Sequence, residues 1–201
     1  MTKAIIFDIG NVLVAFDFQR AYARLGPICR YSIDDVRSRL RASGIVPQLE
    51  TGRLEPAQFV EQFCGLLDLN LNLQQFQEIW SSIFLPEPIM PAPLLAALKA
   101  RYPMIVLPNT NALHFEILRR DYDFLRHFDH QVLSHEVGAV KPSPEIYREA
   151  VRLAGGRAEE CFFTDDIPEF VEGARREGID AVRFESPTQV EAELRARGIT
   201  W

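Results

Sequence analysis

Four short stretches of this 201-residue chain set reactive side chains directly behind apolar runs. In Phe7-Asp8-Ile9-Gly10-Asn11-Val12 a carboxylate follows Ala4–Phe7. In Leu107-Pro108-Asn109-Thr110-Asn111 amides and a hydroxyl follow Met104–Leu107. Gly138-Ala139-Val140-Lys141-Pro142 supplies a lysine, and Phe163-Thr164-Asp165-Asp166 sets two adjacent acids behind Cys161–Phe163. Carboxylates repel one another, and crowding Asp8, Asp165 and Asp166 together is costly without a cation. Mg²⁺ is a hard ion that takes oxygen ligands and commonly bridges carboxylates to a phosphate. Lys141 adds a point charge toward an anionic substrate. Loop groups around Asn109 and Thr110 can hydrogen-bond phosphoryl oxygens. An aspartate can also act as a nucleophile and carry the phosphoryl group as an aspartyl-phosphate. Transfer at phosphorus needs positioning and charge neutralisation above all.

These residues converge only if the intervening elements place them on one edge. The runs Ala4–Phe7, Met104–Leu107, Cys161–Phe163 and Ala181–Phe184 are strand-length and lack polar alternation, as strands buried on both faces do. Gln131–Ser134 is a weaker fifth candidate. Helices are expected over Leu94–Tyr102, Leu113–Arg120, Pro144 onward with Ser143 as N-cap, Pro168–Glu177 and Thr188–Arg197. This alternation predicts an α/β fold, a Rossmann-like parallel sheet with helices on both faces. In such a sheet ligands bind at the carboxyl ends of the strands, where all four stretches fall.

Residues 17–85 read differently. Ile33, Val36 and Leu40 are spaced for one helix, Phe59, Val60, Phe63 and Leu67 for a second, and Leu73, Phe76, Trp80 and Ile83 for a third. Asp17 and Asn72 are N-cap candidates. No strand is expected there. Pro86, Pro88, Pro91 and Pro93 follow, dense enough to resist helix and sheet and to form a stiff hinge. The predicted division is therefore a core from residues 1–16 and 86–201, with a helical cap at 17–85 inserted after the first strand.

Composition bounds the rest. The formal net charge is −6, which disfavours a nucleic-acid partner. No apolar run approaches the ~20 residues of a membrane span, and no signal peptide is visible. Cys29, Cys64 and Cys161 are widely spaced and suit reduced thiols, so a cytoplasmic location is expected. Nothing in the sequence gives an oligomeric state.

The ordered set of these motifs, each behind a strand and with a helical insertion after the first, resembles the haloacid dehalogenase-like hydrolase superfamily. The resemblance covers essentially the whole chain. Asp8-x-Gly10-Asn11-Val12, Asn109-Thr110-Asn111 and the cap stretch Glu50-x-Gly52-Arg53-Leu54 are nearest to its branch of small sugar-phosphate phosphatases of the α-D-glucose-1-phosphate type. The resemblance implies a Mg²⁺-dependent hydrolysis of a small phosphorylated metabolite through an aspartyl-phosphate. Asp8 would be the nucleophile. Asp8, the Gly10 main-chain carbonyl, Asp165 and Asp166 would hold Mg²⁺. Lys141 would neutralise Asp8 and the phosphate, Asn109 and Thr110 would contact the phosphoryl group, and Glu50 would reach the substrate from the cap.

Two positions depart from the superfamily pattern. Most members carry an Asp where this chain has Gly10, and that residue protonates the leaving group. Ser or Thr is usual where this chain has Pro108, which offers neither hydroxyl nor N–H; Thr110 is the available substitute. Ile167 and Phe170 also stand where polar residues are common. Plain structural roles compete at several positions. Asp165-Asp166 could cap the next helix, Lys141 could be a surface lysine, Thr110 could bond only its own turn, and Asp17 reads as an N-cap. Glu50 and Arg53 read as an exposed loop pair. His114, His127, His130 and His135 lack metal-ligand spacing and read as surface residues or residues behind the site. The alternative functions are a 2-haloacid dehalogenase, whose metal-free site has little use for an acidic pair, and a ligand-binding homologue with weakened turnover.

Overall fold

The computed structural model describes residues 2–201. Its centre is a five-stranded parallel sheet in the order β5-β4-β1-β6-β7. The strands are β1 Ala4–Phe7, β4 Met104–Val106, β5 His130–Gln131, β6 Cys161–Asp165 and β7 Asp180–Arg183. Side-chain alternation divides the core into two layers. Ile5, Phe7, Met104, Val106 and Phe162 face the helices α6 Ala92–Lys99, α7 Ala112–Asp121 and α11 Pro187–Ala196. Ala4, Ile6, Ile105, Cys161 and Phe163 face α9 Pro144–Ala154 and α10 Pro168–Arg176. Both faces are covered, which explains the unbroken apolar runs of the strands.

Between β1 and α6 the chain makes five α-helices with a core of their own. They are α1 Phe18–Leu25, α2 Ile33–Ser43, α3 Ile45–Glu50, α4 Pro56–Leu67 and α5 Leu73–Trp80. Leu25, Val36, Leu49, Phe59, Phe63 and Phe76 pack together, and Leu113 of α7 closes the cluster from the sheet side. Phe63 and Phe76 meet edge to face with ring centroids 4.9 Å apart. Asp17 and Asn72 cap α1 and α5 as their positions implied; Asp17 accepts from the Gln19 N–H at 2.9 Å and Asn72 from that of Gln75 at 2.9 Å. Three apolar periods pointed to three helices. Six-residue α3 is too short to announce itself by periodicity, whereas α1 carries a helical period, Phe18, Ala21, Tyr22 and Leu25, behind its Asp17 cap.

The proline-rich exit is not free of sheet. β3 Phe84–Pro88 pairs antiparallel with β2 Val14–Phe16, with Val14 opposite Pro88 and Phe16 opposite Phe84. Each strand of a two-stranded ribbon has an open edge, where a proline's missing donor costs no ladder bond. The weak fifth strand is also shorter than Gln131–Ser134, because Ser134 already opens α8 Ser134–Val137. Among the described residues no helix is long and apolar enough to cross a membrane.

One glycine seats the helical segment on the sheet. Gly52, just beyond α3, has φ +65°, and a Cβ there would lie 2.0 Å from the His135 carbonyl oxygen. Gly44 shares the left-handed conformation at φ +66° but has open space around it. Gly52→Ala is expected to cost about 2–4 kcal/mol, from backbone strain plus a clash with main chain, and Gly44→Ala about 1 kcal/mol. Urea unfolding of the two variants checks this.

Candidate active site

The chain winds from β1 outward to β4 and β5, then returns to β6 on the other side of β1. The crevice beyond the carboxyl end of β1 is therefore a topological switch point. Asp8 stands there, with its N–H donating to the Thr164 carbonyl of β6 at 3.0 Å. Asp165 ends β6. Lys141 arrives from the loop before α9 and is fully enclosed. Its Nζ donates to Asp8 Oδ1 at 2.7 Å and to Asp165 Oδ2 at 2.5 Å. It also lies 5.6 Å from the Phe163 ring centroid and 5.1 Å from that of Phe170. Phe170, unexpected beside an acidic pair, is thus a wall of the lysine's slot.

Burial dominates the electrostatics. It pushes the Asp8 carboxyl above the usual carboxylate range, against the pull of Lys141 and with the help of Asp165. Burial also acts to lower Lys141, but Asp8 and Asp165 outweigh it and hold the ammonium above its ordinary value. Burial raises Asp166 too. One cation thus faces three acids. Oxygens of Asp8, Asp165 and Asp166 lie within 4.8 Å of one another, a spacing and a donor set that suit a hard divalent ion. Asn11, at φ +53°, donates its Nδ2 to Asp166 Oδ2 at 3.3 Å. The Ile167 N–H donates to Asp165 Oδ1 at 2.9 Å, so Asp165 also caps the turn into α10.

The second stretch is held more tightly than its sequence suggests. Asn109 Oδ1 accepts from the Lys141 N–H at 2.7 Å and its Nδ2 donates to the Lys141 carbonyl at 3.0 Å. Its amide therefore aims the lysine instead of standing free for a phosphoryl oxygen. Thr110 is buried, and its main chain is clasped by Ser134, whose Oγ accepts from Thr110 N–H and donates to Thr110 O, both at 2.8 Å. No motif pointed to Ser134. Asn111 caps α7, accepting from the His114 N–H at 3.0 Å.

His114 is not a surface residue. It stacks on Trp80 of α5 with centroids 5.4 Å apart, and its ring nitrogens lie 3.3 Å from Asn111 Nδ2 and 3.2 Å from the Trp80 carbonyl. Nε2 donating to the carbonyl and Nδ1 accepting from the amide satisfies both contacts with a neutral ring. Burial pulls the imidazole down to about 4.

Gly10 has a physical counterpart in Phe16. A Cβ at Gly10 would lie 2.8 Å from Phe16 Cε1 and 3.7 Å from Asp8 Oδ2. The aromatic ring fills the direction a side chain at position 10 would take. Gly10, Phe16 and Asn109 separate two adjoining cavities. One, of about 150 Å³, is lined by Asp8, Asn11, Lys141 and Asp166. The other, of about 190 Å³, lies under α1, α3 and α5 and is lined by Phe18, Trp80, Phe84, Thr110 and Glu50. Glu50 and Arg53 are not an exposed pair. Arg53 is exposed, whereas Glu50 is half-buried at the end of α3 and lines this cavity. Burial raises its carboxyl.

A carboxylate beside a cation, with further acids spaced for a metal, at the switch point of a doubly wound sheet, defines a class of metal-dependent hydrolases. A family model for haloacid dehalogenase-like hydrolases matches residues 2–178, and the chain belongs to that family. It is 24% identical over 200 residues to D-ribitol-5-phosphate phosphatase of Bacteroides thetaiotaomicron, covering 96% of this chain and 97% of that protein. A shorter stretch of 62 residues, 30% of this chain and 27% of the other, is 39% identical to glyceraldehyde 3-phosphate phosphatase of Methanopyrus kandleri. The fold superposes on a HAD family enzyme of B. thetaiotaomicron crystallised with magnesium and inorganic phosphate. The TM-score is 0.83 at 26% identity, over 92% of this chain and 96% of that one. These likenesses support the superfamily and do not single out a glucose-1-phosphate branch.

Two outcomes are expected. Lys141→Met leaves buried acids facing one another and should cost about 3–5 kcal/mol in urea unfolding with EDTA present. For His114, the folded value of about 4 lies below the ordinary 6.5. Between these values the unfolded chain binds a proton that the folded chain refuses, so stability falls as pH drops from 6.5 to 4 and is unaffected above that window. The loss reaches about 3 kcal/mol, and urea midpoints of His114→Gln should fall less steeply across it than those of the parent.

Proposed function

We propose that the chain is a Mg²⁺-dependent phosphatase of small phosphorylated metabolites, acting through an aspartyl-phosphate on Asp8. The observation that carries this is the clustering of Asp8, Asp165 and Asp166 within 4.8 Å around the Lys141 ammonium. Asp8, Asp165, Asp166 and the Gly10 carbonyl would hold Mg²⁺, which when bound neutralises charge on the phosphoryl oxygens. Asp8 attacks phosphorus while the alcohol leaves, and water then cleaves the aspartyl-phosphate. Lys141 fixes the Asp8 carboxylate by one oxygen and offsets the negative charge that gathers at the site. Asn109 keeps Lys141 in place through its main chain. Thr110, clasped by Ser134, is the hydroxyl available to the phosphoryl group where Pro108 has none.

Residues 17–85 would be the cap and residues 1–16 with 86–201 the core, and closure of one over the other would exclude water from the first step. Glu50 reaches the substrate from the cap side. The two named relatives act on a polyol phosphate and a triose phosphate, which supports a small phosphorylated carbohydrate as substrate. Cys29, Cys64 and Cys161 are all free thiols, which supports a cytoplasmic location. The net charge of −6 fits a small-molecule partner better than a nucleic acid. The acid cluster favours phosphate chemistry over metal-free dehalogenation of a 2-haloacid.

Hydrolysis of 4-nitrophenyl phosphate and of a panel of polyol and sugar phosphates tests the reading. Mg²⁺-dependent turnover should vanish in EDTA and fall by at least about three orders of magnitude in Asp8→Asn. Turnover that survives either change would sink it.

A further inference from the structure

An alkyl phosphate releases its alcohol as an alkoxide, which needs a proton as the P–O bond breaks. The phosphate-side cavity holds no free acid to give it. Asp8 is the attacking group, Lys141 is locked between Asp8 and Asp165, and Asp166 belongs to the metal set. Gly10 contributes no side chain, and the Phe16 ring closes the space beside it.

The adjoining cavity is where the leaving group must lie, because the two share Gly10, Phe16 and Asn109. Its walls are mainly apolar, including Phe18, Trp80 and Phe84. His114 is its imidazole, and both ring nitrogens are engaged, by Asn111 and by the Trp80 carbonyl. Asp17 lies outside it, exposed and occupied as the cap of α1. That leaves one carboxyl on the wall, Glu50, which among the described residues makes neither a salt bridge nor a side-chain hydrogen bond. A carboxyl without a polar partner, in apolar surroundings that raise it, is kept in its protonated form more readily than one in water. The contact of Gly52 with the His135 carbonyl of α8 seats the end of α3, and with it Glu50, beside this cavity.

Resting on the phosphatase reading, we infer that Glu50 is the general acid that protonates the departing alcohol. As the bond from Asp8 to phosphorus forms and the bond to the ester oxygen breaks, the Glu50 proton passes to that oxygen and the alcohol leaves neutral. The Glu50 carboxylate then takes a proton from the water that attacks the aspartyl-phosphate. That water's oxygen bonds to phosphorus, the bond to Asp8 breaks, phosphate is released, and Glu50 is again protonated.

The test compares two leaving groups in the parent enzyme and in Glu50→Gln, which keeps the shape but cannot deliver a proton. Ribitol 5-phosphate leaves as a strongly basic alkoxide, and 4-nitrophenyl phosphate as a stable phenolate. With Glu50 as the acid, kcat on the alkyl ester falls by about 10²–10⁴-fold, and the loss on the aryl ester is smaller by at least tenfold. Glu50→Asp, which retains the proton on a shorter arm, recovers part of the alkyl turnover. Equal losses on both esters, or no loss on either, overturn the inference while leaving the phosphatase reading intact. If the parent is active on aryl esters only, no alkoxide is being served, and the inference also fails. If the parent hydrolyses neither ester, the phosphatase reading itself is at fault.

Discussion

A single buried ammonium ties the molecule together. Lys141 is wholly enclosed, yet it comes from a loop and reaches acids behind two neighbouring strands, Asp8 after β1 and Asp165 at the end of β6. Isolated, such a charge could not remain in the interior. Two carboxylates, two aromatic faces and the Asn109 amide make the position tenable. The same arrangement leaves the acids in excess. The lysine offsets part of the repulsion, and the remainder is a standing preference for a divalent cation. The parallel pairing of β1 with β6 thus matters beyond the backbone: its register, with Phe7 beside Thr164, sets how far apart the two carboxylates begin.

Around this point the chain is fastened in layers. Ser134 locks the Thr110 main chain, Asn111 caps α7, and His114 carries the contact on to Trp80 of α5. The route from the sheet edge to the helical segment is therefore a chain of hydrogen bonds and one stacked pair. Gly52 against His135 is a second route, built from a close approach of main chain. The helices carry their own apolar cluster, and among the described buried residues Leu113 joins it from the sheet side.

The fold was legible because buried parallel strands leave unbroken apolar runs, and Ala4–Phe7 and Met104 onward do so plainly. The acids were legible because residues of this type gather at strand ends. What escaped was of another kind. Phe16 filling the place beside Gly10, Ser134 clasping Thr110 and Phe170 walling in Lys141 are contacts between residues distant in sequence, with no periodic signature. Pro86 and Pro88 misled for a physical reason, since the ban on proline in sheets holds for central strands and not for a ribbon with open edges. Glu50 and Arg53 looked like neighbours on a loop because sequence adjacency says nothing about which side chain turns inward.

The β2–β3 ribbon has a bearing on how such a molecule can change over time. The chain leaves the sheet along Val14–Phe16 and comes back along Phe84–Pro88, side by side. The two ends of everything between them are already held together. Lengthening or shortening that excursion alters loop-closure entropy only logarithmically, by about 0.6 kcal/mol for a doubling. The sheet and its acids can therefore stay as they are while the excursion is exchanged wholesale. The ribbon leaves the helical excursion replaceable and the sheet with its acid cluster unchanged.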